Sequence, residues 1–211
     1  MTFLEILVEG SSDVPTVTEI LRRRFGLRKG EDFRIHPHRG KGKLPERPRW
    51  KPQPTRQGLL DQLPAKLRAY GRTKGFDRTI VVLVDADDDD CRTLKSSLLE
   101  LVGKLDQRPK VLFRIAIEEI ESWFLADKEA IRAAYPRARL NERPKGKPDQ
   151  VIGAWERLAS VLSREPRVCT GADKTRWAQT IAPLLDLDRP RSPSLGCFVA
   201  GVAGILGRSG S

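Results

Sequence analysis

The strongest constraint on the fold is an uninterrupted β-prone run that ends in clustered carboxylates. Residues 79–84 form this run, and aspartates fill five of the next six positions, beginning at Asp85. A strand without polar interruptions is typical of a parallel sheet covered on both faces. Clustered carboxylates repel one another unless cations or solvent neutralise them. The pattern therefore predicts an α/β fold with a divalent metal at the strand end, where such folds bind ligands. The alternative is a solvated acidic turn that caps the next helix.

A second apolar run ends in an acid in the same way. Residues 3–8 lead to Glu9, and a turn then leads to Asp13 and an amphipathic segment over residues 14–25. Asp13 is well placed to cap that helix, whereas a carboxylate that ends an apolar strand is costly unless it reaches solvent or a cation. Because parallel strands end at one edge of a sheet, Glu9 and Asp85 could share a metal ion.

A third β-prone run, over residues 110–117, also delivers acids at its end. Glu118, Glu119 and Glu121 follow it. If Glu118 begins a helix, Glu121 lies on the same face and the two could bind one ion. We interpret Glu119 as a glutamate that simply favours the first turn of a helix.

These motifs resemble the Toprim domain of topoisomerases, primases and certain nucleases. The resemblance covers roughly residues 2–116, and depends on a strand that ends in Glu9-Gly10 and a later strand that ends in Asp85-x-Asp87. Within that superfamily, the chain is similar to small stand-alone bacterial Toprim proteins, often encoded beside ATPases, and to the nuclease domain of the overcoming-lysogenization-defect family. The segments that match this narrower group are Glu9-x-x-x-Asp13, residues 118–124 and a downstream lysine, for which Lys174 is the candidate.

The resemblance implies a Rossmann-like parallel sheet of about four strands flanked by helices, and an endonuclease that hydrolyses DNA or RNA with two Mg²⁺ or Mn²⁺ ions. Oxygen ligands suit Mg²⁺, and two ions can clamp the attacking and leaving oxygens. Lys174 would offset charge on the phosphate, unless it is an ordinary surface lysine. The expected primary ligands are Glu9, Asp85 and Asp87, and the second site is expected to use Asp13, Glu118 and Glu121, with Asp89 as a substitute ligand.

The charge of the chain favours a polyanionic partner. Its 39 Lys and Arg residues outnumber its 28 Asp and Glu residues, which gives a net charge of +11, and such a surface attracts nucleic acid. The alternative is a generally basic protein without that partner. Residues 36–56 form a proline-rich, basic segment that predicts an extended loop, in which Trp50 could stack on a base or pin the loop to the core. The expected nucleic-acid contacts in this loop are Arg39, Lys41, Lys43, Arg47, Arg49 and Lys51.

The resemblance implies a Toprim core over residues 1–126, which includes the basic loop. The helical spacing of residues 127–211 predicts a helical extension that packs on the core or docks a partner. The core helices are expected at residues 14–25, 56–70 and 92–105. The extension is expected to be helical over residues 128–135, 149–162, 174–185 and 194–206.

Several classes of protein do not fit the sequence. No apolar stretch is long enough to span a bilayer, and the chain begins without a leader's basic start, so we expect a cytoplasmic, soluble protein. Its three cysteines suit neither a disulfide framework nor a zinc site. His36 and His38 could bind a metal, contact phosphate or simply be exposed. The endonuclease could be the effector of an ATPase-linked bacterial defence system, such as phage defence. The functional alternatives are a toxin-type tRNA ribonuclease held by a partner ATPase, and a non-catalytic, metal-containing module that binds nucleic acid or a partner.

Overall fold

The centre of the protein is a parallel β-sheet of four strands. The computed structural model describes residues 2–48, 51, 54–73, 75–87, 89–143, 146–162, 164 and 168–208. The strands pair in the order β2-β1-β3-β4, and every pair is parallel. Their bounds are β1 (Phe3–Val8), β2 (Phe33–Pro37), β3 (Arg78–Asp85) and β4 (Val111–Ala116). The predicted α/β class with a parallel sheet of about four strands is therefore confirmed.

Helices cover both faces of the sheet, which explains why its central strands, β1 and β3, are mostly apolar. Three of them are crossovers: α1 (Asp13–Phe25), α2 (Leu59–Arg72) and α3 (Cys91–Gly103). Alternate residues of β1 enter opposite layers, with Leu4 and Ile6 on the α1 side and Leu7 on the side of α2 and α3. All three are fully buried. Strands β1, β3 and β4 each contribute side chains to both layers, whereas the buried side chains of β2 lie on the α1 side.

The chain after β4 is helical, as expected for a C-terminal extension, and shares the apolar core of α1. The core includes Trp123, Leu158, Trp177 and Phe198 beside residues of β1 and α1. The helices are α4 (Glu121–Ala126), α5 (Lys128–Ala134), α6 (Ala154–Val161), α7 (Gly171–Ile181) and α8 (Pro193–Ile205). Single 3₁₀ turns lie at Leu140–Glu142, Pro148–Gln150 and Ala182–Leu184.

Helix α8 covers the edge strand β4. The guanidinium Nε of Arg114, on β4, donates a 2.7 Å hydrogen bond to the carbonyl of Cys197. The same side chain lies over Gly201, where a Cβ atom would collide with the guanidinium. The contact therefore fixes α8 against β4.

Three predicted helices differ from the observed ones. The helix expected from Glu118 begins at Glu121, because Glu118 adopts a left-handed φ of 63°. The helix expected from Asp149 begins at Ala154, because Gly153 is left-handed (φ 64°). Helix α7 begins three residues before Lys174, at Gly171, and ends at Ile181. Within the described residues, no helix is both long and apolar enough to cross a membrane.

Candidate functional site

The carboxyl ends of β1 and β3 bring Glu9 and Asp85 together. The two strands are parallel neighbours, with Leu7 beside Val82, so the residues that follow them meet at one edge of the sheet. The backbone N–H of Asp85 donates a 2.8 Å hydrogen bond to Oε1 of Glu9. Two acids that are 76 positions apart in the chain are thus in direct contact.

Asp13 is held beside Glu9 by the turn between β1 and α1. The backbone N–H of Gly10 donates to Oδ2 of Asp13 (2.9 Å), and the hydroxyl of Ser12 donates to Oδ1 (3.3 Å). Asp13 is therefore fixed by the turn, as a capping residue would be. The carboxyl group of Asp13 is also enclosed by the protein, and this burial raises its pKa.

Glu119, Glu121 and Lys174 form the other side of the site. Nζ of Lys174, in the first turn of α7, lies 3.4 Å from Oε1 of Glu119 and 3.5 Å from Oε1 of Glu121. Oε2 of Glu119 accepts a 2.9 Å hydrogen bond from the backbone N–H of Trp155. The Lys174 ammonium also lies 5.5 Å from the centroid of the Trp155 ring, a cation–π distance. Helices α6 and α7 thus contribute directly to the site.

The electrostatics of Asp85 define an acidic cluster. Burial raises the pKa of Asp85 well above its ordinary value, and repulsion from four neighbouring carboxylates raises it further. We use the term acidic cluster for Asp85 and these four neighbours, which are Glu9, Asp13, Glu119 and Glu121.

Burial is also the largest cause of the raised pKa values of Glu9 and Glu121. It raises the pKa of Glu9 to about 8, although the hydrogen bond from Asp85 opposes the shift. It raises the pKa of Glu121 to about 7, against the nearby charge of Lys174. Burial lowers the pKa of Lys174, but Glu121, Glu119 and Asp85 together raise it above its usual value. Several acidic side chains with strongly shifted pKa values around one charged partner are characteristic of functional sites.

A second acidic feature lies beside the cluster. Nζ of Lys41, from the basic loop, donates to the carbonyl of Ala86 (2.6 Å) and to Oδ2 of Asp87 (3.2 Å), and lies 2.8 Å from Oδ2 of Asp89. We call Asp87 and Asp89 the outer pair. Asp87 is close enough to Glu9 to raise its pKa by repulsion. The outer pair therefore borders the acidic cluster and forms ion pairs with a separate lysine, Lys41.

Two glutamates after β4 differ from the expectation. Glu118 is not in a helix with Glu121, and its backbone carbonyl accepts a 3.1 Å hydrogen bond from the N–H of Asp87. Glu119, which we had assigned only to a helical turn, lies before α4 with its carboxylate in the cluster. No sequence signal marks Glu119, because its hydrogen-bond donor, Trp155, is 36 residues away. Asp90 does cap α3, by accepting from the N–H of Thr93.

The basic loop forms one wall of a groove beside the outer pair. The groove has a volume of about 800 Å³, and Lys41, Lys43 and α3 line it. The predicted contacts Arg39, Lys43, Arg47 and Lys51 are exposed. Arg49 and Trp50 lie outside the described residues, as does Asp88.

The two histidines of the basic segment have separate partners. Nε2 of His36 lies 2.6 Å from Oε2 of Glu5, beneath α2. Nδ1 of His38 lies 2.8 Å from the carbonyl of Val8. Across the described ranges, no three His, Cys, Asp or Glu side chains are arranged to hold a metal ion as they stand. The acidic cluster nevertheless offers the oxygen donors that Mg²⁺ and Mn²⁺ prefer, and Lys174 and Lys41 supply the cationic charge there.

Comparisons with known proteins identify a family. No curated protein and no solved structure matches the chain. A family described as "Domain of unknown function (DUF4276)" matches residues 8–203. The match begins at the last residue of β1 and ends within α8, so it includes the acidic cluster, the outer pair and Lys174. The chain therefore belongs to the DUF4276 family.

Proposed function

We propose that this protein is a metal-dependent phosphodiesterase, most simply an endonuclease that acts on DNA or RNA. The observation that carries the proposal is the acidic cluster, in which carboxylates from β3, the end of β1, and the starts of α1 and α4 surround one another at the carboxyl edge of a parallel sheet. Enclosed acids of like charge are costly unless cations compensate them. A site of this kind is suited to binding divalent cations.

The acids are positioned by groups that do not depend on a ligand. Backbone N–H donors from Asp85, Gly10 and Trp155 fix Glu9, Asp13 and Glu119, respectively. Each donor belongs to a turn or to the end of a regular element, so the carboxylates are held by the fold itself. Preorganised charge of this kind is a major source of catalytic power, because it costs no reorganisation during the reaction.

The donor set fits one or two Mg²⁺ or Mn²⁺ ions. The members of the acidic cluster would hold them together with Asp87, and Glu118 stays a candidate from the sequence. When bound, such ions polarise a phosphoryl oxygen and lower the pKa of a bound water. The protein supplies the oxygen ligands and the enclosure that excludes competing solvent.

Lys174 supplies fixed positive charge within the site. Its pKa is raised by the neighbouring acids, so the ammonium stays charged at neutral pH. A cation held by Glu119 and Glu121 can offset the negative charge that builds on a phosphate as it is attacked. The exposed basic residues of the loop, and the net charge of +11, would bind the sugar-phosphate backbone through counterion release.

A cleavage assay with matched variants tests the proposal. Purified protein is incubated with plasmid DNA and with tRNA, in Mg²⁺, in Mn²⁺ and in EDTA. We expect metal-dependent cleavage by the wild type, its loss in Asp85→Asn, and its retention in Asp188→Asn, which changes a strongly exposed aspartate. Cleavage of tRNA alone would identify a ribonuclease of the toxin type.

Two outcomes would contradict the proposal. Cleavage that persists in Asp85→Asn would show that the acidic cluster is not the source of the activity. Metal binding without cleavage of either polymer would identify a non-catalytic binding module, in which the cluster serves structure or a partner such as an ATPase.

A further inference from the structure

The first residues of the basic loop are fixed on two sides. On one side, the N–H of Gly40 donates to the carbonyl of Glu9 at 2.9 Å. On the other, the N–H groups of Leu59 and Leu60, in the first turn of α2, donate to the carbonyls of Gly40 (2.8 Å) and Lys41 (2.7 Å). The backbone at Lys41 is therefore held between the end of β1 and the start of α2.

A glycine contact tightens this attachment. Gly42 has a left-handed φ of 68°, and a Cβ atom on Gly58 would lie 2.5 Å from Cα of Gly42. That separation is too short for a side chain, so the two backbones can approach only because both residues are glycines. The position of Lys41 is thus built into the fold, although the sequence around it is rich in proline.

The side chain of Lys41 is directed inwards, unlike that of Lys43. Only 14% of the Lys41 side chain is exposed, and its ammonium contacts Ala86, Asp87 and Asp89. Lys43 is exposed. The sequence groups the two lysines together as nucleic-acid contacts, but the structure separates them, because Lys41 neutralises the outer pair.

We infer that Lys41 is an internal counter-cation of the outer pair, that a divalent ion must displace it from Asp87, and that the released ammonium then binds a phosphate of the substrate. The inference rests on the proposed function and makes Lys41 a substrate-binding residue within it. Oδ2 of Asp87 cannot bind an ammonium and a metal ion at the same time without bringing two cations into close repulsion. Because the loop backbone is fixed, the released side chain stays at the edge of the site.

The exposure of the outer pair makes this exchange feasible. The side chains of Asp87 and Asp89 are 47% and 58% exposed, so solvent screens their attraction to Lys41. Lys174 differs, because its partners Glu119 and Glu121 are enclosed, with only 17% and 8% of their side chains exposed. Of the two lysines, Lys41 is therefore the one that an incoming ion can displace at low cost.

Direct measurement of Mn²⁺ binding tests the inference. Free and bound Mn²⁺ are measured by electron paramagnetic resonance, without nucleic acid, for the wild type, Lys41→Met and Lys43→Met. We expect Lys41→Met to lower the Kd for Mn²⁺ about fivefold, since the competing ammonium is gone and a screened ion pair contributes a factor of that order. Lys43→Met should leave the Kd unchanged. In an Asp87→Asn background, Lys41→Met should have no effect on the Kd.

The outcomes separate this inference from the proposed function. If the wild type binds Mn²⁺ and Lys41→Met binds it equally or more weakly, Lys41 is not a competing cation and the inference is wrong. If the wild type binds no Mn²⁺, the metal-dependent function fails, and the inference fails with it. If Lys41→Met binds Mn²⁺ more tightly but neither protein cleaves nucleic acid, the exchange of cations stands and the catalytic role is refuted. Thermal unfolding of each variant confirms that it is folded.

Discussion

Glu9 accepts its hydrogen bond from the backbone N–H of Asp85 at 2.8 Å, so an acidic side chain joins the ends of the two central strands. The side chain of Glu9 thereby has two separable properties, a hydrogen-bond acceptor that connects the strands and a negative charge within the acidic cluster. A glutamine at this position retains an acceptor oxygen of the same shape and removes the charge.

The first prediction concerns Glu9→Gln. We expect the variant to fold with unchanged or greater stability, because burial penalises a carboxylate charge far more than an amide, and to lose the stabilisation that metal gives. For the wild type, an ion at about 100 times its Kd adds about 2.7 kcal/mol, which raises Tm by roughly 5–10 °C for a chain of this size. Scanning calorimetry with Mn²⁺ and with EDTA measures the shift. Glu31→Gln, at an exposed ion pair with Arg28, should respond like the wild type. If Mn²⁺ raised the Tm of Glu9→Gln as much as that of the wild type, Glu9 would not be a metal ligand.

The second prediction is a pH dependence of stability without metal. The pKa of Glu9 is raised to about 8 and that of Glu121 to about 7, whereas both are near 4.5 in the unfolded chain. The folded state therefore keeps protons that the unfolded state has released. The free energy of unfolding should therefore fall as pH rises from about 4.5 to about 8. Above about pH 8 both glutamates are deprotonated in the folded protein, and the stability that their bound protons contributed is lost.

Urea unfolding in EDTA at about pH 7 and about pH 8.5 measures this effect. Burial lowers the pKa of His38, which affects stability in the opposite direction below its ordinary value of 6.5, so the chosen range avoids it. Glu9→Gln should flatten the slope, and saturating Mg²⁺ should oppose it, because the ion binds deprotonated carboxylates. A stability that rises with pH in EDTA would contradict the assignment.

The sheet and one half of the site could be predicted from the sequence because local patterns determine them. An apolar run that ends in an acid identifies both a buried strand and the residue at its end, and parallel pairing then brings Glu9 to Asp85. No knowledge of the helical extension is needed for that step.

The other half depends on contacts between distant segments. Glu119 joins the cluster because the N–H of Trp155 holds it there, and Lys174 faces it because α7 packs on α1. Lys41 and Lys43 have the same local composition but different burial, since backbone contacts to α2 fix the direction of Lys41. The residue types predicted which positions carry charged side chains. Only packing determines which of several neighbouring charged side chains enters the candidate site.

The third prediction concerns Lys174→Met, which keeps most of the length of the side chain and removes its charge. Glu119 and Glu121 then lack their nearest cation, so we expect the metal-free protein to lose up to about 3 kcal/mol of stability. Cleavage should fall about 10²–10³-fold at saturating metal, as when one charge-stabilising group is removed from an active site, with little change in nucleic-acid affinity. Single-turnover cleavage and filter binding measure the two effects. Arg176→Met, two residues on and 63% exposed, is the control. If Lys174→Met and Arg176→Met cleaved at equal rates, Lys174 would have a structural role and no role in cleavage.

The fourth prediction concerns the glycine contact below the basic loop. Gly58→Ala places a methyl group against the backbone of Gly42, which should push the loop from α2 and displace Lys41. We expect weaker nucleic-acid binding and cleavage reduced about tenfold, with a far-ultraviolet circular dichroism spectrum like that of the wild type. Gly103→Ala, in α3 with nothing within 4 Å of its added Cβ, should be neutral or stabilise by about 0.5–1 kcal/mol. Wild-type cleavage by Gly58→Ala would show that the loop position is unimportant.

The fifth prediction tests whether the helical extension supports the site through a buried polar network. Asp149, which is buried, accepts from the hydroxyl of Ser192 (2.6 Å) and from the N–H of Ser194 (2.7 Å). The hydroxyl of Ser194 in turn accepts from the indole N–H of Trp123 at 2.8 Å. These bonds join the turn before α6, the start of α8 and helix α4, which carries Glu121.

Asp149→Ala leaves the donors at the start of α8 without their acceptor, inside an apolar core. Unsatisfied buried groups cost about 1–3 kcal/mol each, so we expect a loss of about 3 kcal/mol in urea unfolding, together with weaker Mn²⁺ binding because α4 loosens. Asp188→Ala, at an exposed aspartate, should change stability by less than about 0.5 kcal/mol. A single unfolding transition in both variants is expected, because the extension and the sheet share one apolar core. Two separate urea-unfolding transitions in Asp149→Ala would instead show that the extension unfolds independently of the sheet. Mn²⁺ binding should then be lost in the transition that occurs at the lower urea concentration.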